Sequence, residues 1–121
     1  MLHGAEEFKM GIAVAPVTTW RNYDTHYTER FMRRPQDNEE GYRQSSPMTF
    51  ASKLKGKFLL IHGMADDNVH FQDTVLFTES LIEAGKQFDL MIYPGKRHGI
   101  RGEKTRVHLF EMMTHYILEN L

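Results

Sequence analysis

Phe58-Leu59-Leu60-Ile61-His62-Gly63 is apolar at consecutive rather than alternating positions until it reaches His62. A run of this length without period-two alternation reads as a strand buried on both faces, as in parallel sheets. Lys55-Gly56-Lys57 punctuates the chain before it, and the polar stretch from Met64 to His70 follows it. A helix is predicted next, from about Gln72 to Ala84, with Val75, Leu76, Leu81 and Ile82 apolar and Gly85 as its terminator. Phe88-Asp89-Leu90-Met91-Ile92-Tyr93 is a further strand, closed by Pro94-Gly95. The last helix is predicted over Glu103 to Asn120, with Val107, Phe110, Met113, Ile117 and Leu121 as its apolar stripe.

Upstream, Met10 to Pro16 is nearly all apolar and reads as a third strand buried on both faces, preceded by what resembles a helix tail over Leu2 to Lys9. Tyr23, Tyr27 and Phe31 recur at helical spacing within Asn22 to Met32, predicting a helix with one aromatic face. Arg33 to Gly41 reads as a polar loop. Ser46-Pro47 reads as an N-cap with proline at the first helical position, opening a short helix through Leu54. Strands alternating with helices imply an α/β fold: a parallel sheet covered on both faces. Sites in such sheets lie beyond the carboxyl ends of the strands. That rule selects three loops, Val17 to Arg21, Met64 to His70 and Gly95 to Gly102.

Composition narrows the function classes. The 121 residues fit one domain, and 40% hydrophobic with 26% charged residues argues against disorder. A net charge of -1 offers no electrostatic footprint for nucleic acid. Zero cysteines exclude a disulfide framework, a thiolate zinc site and a cysteine nucleophile. No apolar run is long enough to span a membrane, and the opening Met1 to Lys9 lacks the pattern of a signal peptide.

Asp66 and His98 stand in adjacent strand-end loops, 32 positions apart. A carboxylate that holds one ring nitrogen of an imidazole fixes its tautomer and stabilises the imidazolium, which suits general acid–base work. The plainer alternative is a surface histidine in a glycine-rich turn beside two solvated aspartates. His62, Asp66, Asp67 and His70 also include metal-ligand types, yet they cross from strand to loop, so no helical face gathers them. No metal site is therefore expected, and His62 reads as a core or strand-end histidine.

Three groups of residues carry a family resemblance. They are Gly11 to Trp20 with Tyr23-Asp24 and Tyr27-Thr28-Glu29-Arg30; Leu60 to Phe71; and His98-Gly99-Ile100. Together they resemble the dipeptidyl-peptidase subgroup of the prolyl oligopeptidase family of serine peptidases, over nearly the whole chain. Asp66-Asp67-Asn68-Val69-His70 is a specific stretch, and its last four residues together with Tyr27-Thr28-Glu29-Arg30 favour this subgroup over an unrelated esterase or lipase. The resemblance implies an α/β-hydrolase fold, here its C-terminal part, with three parallel strands and covering helices. It implies that Asp66 is the triad acid and His98 the general base. Val17, Trp20, Tyr23, Tyr27 and Val69 match a pocket for proline or alanine at the penultimate substrate position, and Asn68 a residue that holds a substrate carbonyl. A flat, small, apolar proline ring suits an aromatic slot. Without the resemblance, the aromatic cluster would read as core packing. Asp67, His70 and Arg30 share the motifs and receive no role.

The nucleophile elbow of that family, Gly-x-Ser-x-Gly, does not occur in the sequence; Ser45, Ser46, Ser52 and Ser80 lie in other contexts. The resemblance therefore implies a chain that lacks the nucleophile strand and the β-propeller, is inactive alone, and begins at an internal methionine or a shortened reading frame. It implies peptide substrates, no cofactor and, for a bacterial source, a periplasmic or cell-envelope location. A reading from another class is a non-catalytic α/β module. An unpaired edge at Gly11 to Ala15 predicts a homo-oligomer.

Overall fold

The computed structural model describes residues 1–4 and 6–121. Strands β1 (Met10–Val14), β2 (Lys57–Gly63) and β3 (Asp89–Tyr93) form one parallel sheet in the order β1-β2-β3. Helices α1 (Thr25–Met32) and α2 (Glu39–Ser45) lie between β1 and β2 in the chain, α3 (Phe71–Glu83) follows β2, and α4 (Glu103–Asn120) follows β3. The central strand is buried from Phe58 through Gly63. Alternation then splits its side chains between two cores. Phe58 and Leu60 pack with Ala51, Leu54, Phe77 and Leu81. Leu59 and Ile61 pack with Tyr93, Ile100 and Leu109. Each fully buried aliphatic side chain here contributes about 1.5–3 kcal/mol of burial. Among the described residues no helix is long and apolar enough to cross a membrane.

Several local readings are corrected. The described part of Leu2 to Lys9 forms only a turn, with Glu7 and Phe8 N–H groups both bonded to the Gly4 carbonyl. One such turn does not repay helix nucleation. The aromatic helix starts late, because Asp24 caps it: its Oδ1 accepts from the His26 and Tyr27 N–H groups at 2.7 and 3.3 Å. Trp20–Asn22 is instead a 3-10 turn. The polar loop is cut short by α2, which begins within it at Glu39, is capped by Asn38 and is anchored by buried Tyr42, whose hydroxyl donates to the Arg33 carbonyl. Ser46 does not cap; its hydroxyl donates to the Thr18 carbonyl at 2.8 Å, and Pro47–Lys53 is a 3-10 helix.

The stripe assigned to α4 is mostly the outer one. Val107, Phe110, Ile117 and Leu121 are exposed, whereas Leu109, Met112, Met113 and Tyr116 face the core. The helix carries apolar residues all round, so periodicity alone does not choose the docking face. Strand β1 is half-buried rather than buried on both faces, with Val14 exposed. Among the described residues it pairs only with β2, so its outer edge has no strand partner.

Candidate active site

The three selected loops meet at the carboxyl end of the sheet. Asp66 lies in the loop after β2 and is buried. Its Oδ1 accepts the Asn68 and Val69 backbone N–H groups at 2.9 and 3.0 Å. Its Oδ2 faces two imidazoles, His98 Nδ1 at 2.9 Å and His62 Nε2 at 3.0 Å. Burial pushes the carboxyl up, but the hydrogen bond from His98, the two backbone N–H groups and the charge of His98 outweigh it. The group is held below the ordinary carboxylate range.

His98 lies in the loop after β3, with its side chain 44% exposed. Ionised Asp66 can only accept, so His98 Nδ1 carries the hydrogen and the Nε2 lone pair is left for an incoming proton. The loop is pinned tightly. Lys96 O accepts from Ala65 N–H at 3.0 Å, and the Tyr93 carbonyl from Met64 N–H at 3.0 Å. Gly63 makes this approach possible, since a Cβ there would fall against the Lys96 carbonyl and 2.9 Å from the Arg97 carbonyl oxygen. Ile100, two residues past His98, sits at φ +42 while its side chain is buried in the core. A β-branched residue in that region costs on the order of 1–3 kcal/mol, which the packing sustains.

His62 is fully buried, as expected of a core histidine, but it is also wired to the acid. Its Nε2 meets two acceptors, Asp66 Oδ2 and, at 2.9 Å, the Val69 carbonyl, so Nε2 carries the hydrogen. Thr74 Oγ1, 2.7 Å from Nδ1, then donates to it. Sequence reasoning missed this role. The only signal was a histidine four residues before the acid, at the strand end.

The aromatic residues assemble on the other side of the acid loop. Trp20 lies 5.6 Å from Tyr23 and stacks on Tyr27 at 6.1 Å, and Tyr23 meets Tyr27 edge-on at 5.6 Å. The Tyr23 hydroxyl donates to Asn68 Oδ1 at 3.0 Å, tying this wall to the acid loop. Tyr27 is 51% exposed, so the cluster is a wall open to solvent and not a closed core. Val17 is half-buried three residues before Trp20, and Val69 is buried with its main chain engaged by Asp66 and His62. A groove of about 440 Å³ lies beside the wall, lined by Asn22, Tyr23, Asp24, Asp67, Asn68 and His70. Asp67 pairs with Arg97 at the surface. Among the described residues, no group of three or more His, Asp or Glu could hold a metal ion. The hydroxyls of Ser45, Ser46 and Ser80 are bonded to main-chain carbonyls.

An acid cradled by backbone N–H groups after one parallel strand, bonded to a histidine after the next, thus stands at the carboxyl end of a parallel sheet of the α/β-hydrolase fold. The chain belongs to the prolyl oligopeptidase family of serine peptidases, whose profile matches residues 1–121. It is 44% identical to bovine dipeptidyl peptidase 4 over 94% of this chain and 15% of that protein. It is 43% identical to human dipeptidyl peptidase 8 over 100% of this chain and 14% of that protein. The crystal structure of Porphyromonas gingivalis dipeptidyl peptidase 4 superposes with a TM-score of 0.96 at 51% identity, covering 99% of this chain and 17% of that one. The chain thus spans about one sixth of the length of these relatives.

Proposed function

We propose that these residues supply the acid–base pair and the proline-side wall of a serine exopeptidase that releases N-terminal dipeptides with penultimate Pro or Ala. The observation that carries this reading is the 2.9 Å contact between Asp66 Oδ2 and His98 Nδ1, with the opposite ring nitrogen of an exposed imidazole left to accept a proton. A serine outside these residues attacks the carbonyl after the second substrate residue, and its proton passes to His98 Nε2. The tetrahedral intermediate collapses, the C–N bond breaks, and His98 returns that proton to the leaving amine. Water then enters, gives a proton to His98 and releases the dipeptide acid, while the serine regains its hydrogen. Asp66 stays ionised throughout and stabilises the imidazolium. Trp20, Tyr23 and Tyr27 receive the proline ring, and Asn68, already bonded to Tyr23, faces a substrate carbonyl. In a bacterial source the reading places the peptidase in the periplasm or cell envelope.

The test is a graft. Porphyromonas gingivalis dipeptidyl peptidase 4 with its corresponding segment replaced by this chain is expected to turn over a chromogenic Gly-Pro amide. The 121-residue chain alone is expected not to. Phosphonate-sensitive turnover by the chain alone, or a folded graft without turnover, contradicts the reading.

The unpaired outer edge of β1 favours a second reading, in which the chain self-associates through backbone pairing at Gly11 to Ala15. Sedimentation of the 121-residue chain is then expected to give a dimer or larger species; a monodisperse monomer rules it out.

A further inference from the structure

The aromatic wall hangs from irregular chain: residues 15–19 are neither helix nor strand, and Trp20–Asn22 is a single 3-10 turn. Such a segment needs something outside itself to hold one conformation. That something is Asp73, in the first turn of α3 and only 2% exposed. Its Oδ2 accepts the backbone N–H groups of Thr18 at 3.1 Å and Thr19 at 3.5 Å, and its Oδ1 accepts Asn22 Nδ2 at 2.9 Å. Its main-chain carbonyl accepts the Thr18 hydroxyl at 2.7 Å. Ser46 adds one more tie by donating to the Thr18 carbonyl.

A buried carboxylate is tolerated only when hydrogen-bonded, and its bonds to N–H groups are among the stronger ones. Among the described residues, the side-chain hydrogen bonds of Asp73 all come from this one loop, so the carboxylate is satisfied only while the loop keeps this shape. None of these bonds reaches Asp66 or His98. The adjacent residue, Thr74, points the other way, to His62 and through it to the acid. Consecutive residues of one helical turn therefore hold the two halves of the site.

We propose that Asp73 is a positioning residue for substrate recognition: it sets the place of Trp20 and Tyr23, and hence the width and stiffness of the proline-side wall, without taking part in proton transfer. This inference rests on the pocket reading above.

Trp20 is the only tryptophan of the chain, so its fluorescence reports on the wall directly. In the 121-residue chain, Asp73→Ala is expected to red-shift the Trp20 emission and to raise acrylamide quenching about two-fold, through local opening of the loop. Far-UV circular dichroism and the His98 titration by NMR should stay as in the wild type. Asp73→Asn should restore most of the signal, since the amide oxygen still accepts the Thr18 and Thr19 N–H groups and Asn22 can turn its amide to match. If Asp73→Ala does not fold, Asn22→Ala, which removes a single donor from an exposed residue, should give a smaller shift in the same direction. In the graft, Asp73→Ala is expected to raise KM for the Gly-Pro amide about 10-fold with kcat nearly unchanged and an unmoved pH profile. Trp20 emission identical to wild type in both Asp73→Ala and Asn22→Ala overturns the inference, as does an Asp73→Asn variant no better than alanine. Tyr27→Ala without effect on KM would instead remove the pocket reading, while the Trp20 result still decides the role of Asp73.

Discussion

Asp66→Asn in the grafted peptidase is expected to lower kcat about 10⁴-fold with little change in KM. The amide keeps its oxygen where Oδ1 accepts the Asn68 and Val69 N–H groups, which places its NH₂ at the position of Oδ2. There it meets His98 Nδ1 and His62 Nε2, both N–H donors in the native arrangement. Two donors cannot face one another, so His98 must move its hydrogen to Nε2 and ceases to be a base. Stopped-flow or steady-state kinetics on the Gly-Pro amide check this; a loss below about ten-fold contradicts the assigned role.

The same substitution has a pH signature in the 121-residue chain. Asp66 is held below its ordinary value of 3.8, so the unfolded state binds its proton first on acidification. Its contribution to stability is therefore complete above that value and is lost as the pH falls through the lower, folded one. Urea unfolding followed from about pH 5 to about pH 2 is expected to show a shallower acid limb in Asp66→Asn than in the wild type.

Gly63→Ala is the second large effect. The added methyl would meet two backbone carbonyls, those of Lys96 and Arg97, neither of which can rotate away as a side chain would. The cost is expected to be about 3 kcal/mol or more. Because the clash falls on the two residues before His98, the Asp66–His98 contact should open at the same time. Denaturant unfolding and the His98 NMR signal measure both. Gly85→Ala is the comparison: a Cβ there meets nothing within 4 Å, and only its φ of +66 is unfavourable. That change is expected to cost about 1 kcal/mol and to leave His98 untouched. Equal effects from the two substitutions contradict the steric account.

Much of this molecule was legible from residue order. Phe58 to Ile61 is apolar on both faces, and a central strand covered on both sides satisfies that. The order of the three strands, the ends of α3 and α4 within a residue or two, and the loops holding Asp66 and His98 followed from local pattern and turn chemistry, whereas α2 did not. The aromatic wall was visible in part as the spacing of Tyr23, Tyr27 and Phe31.

What stayed hidden depends on partners far away in the chain. The inward face of α4 was decided by Ile100, Leu59 and Ile61 selecting Leu109 from a helix that is apolar on several sides. Ser46 was drawn from a capping role to the Thr18 carbonyl, 28 residues earlier. His62 looked like a core or strand-end histidine, and nothing in the local pattern singled out Asp73. Their roles exist only because folding brings Thr74 and Asp66 to one, and Thr18, Thr19 and Asn22 to the other. Periodicity and capping act over a few residues and can be read in order along the chain. The docking face of a helix, and the donors that satisfy a buried carboxylate, are set by which distant surfaces close-pack, and that was decided only in the folded molecule.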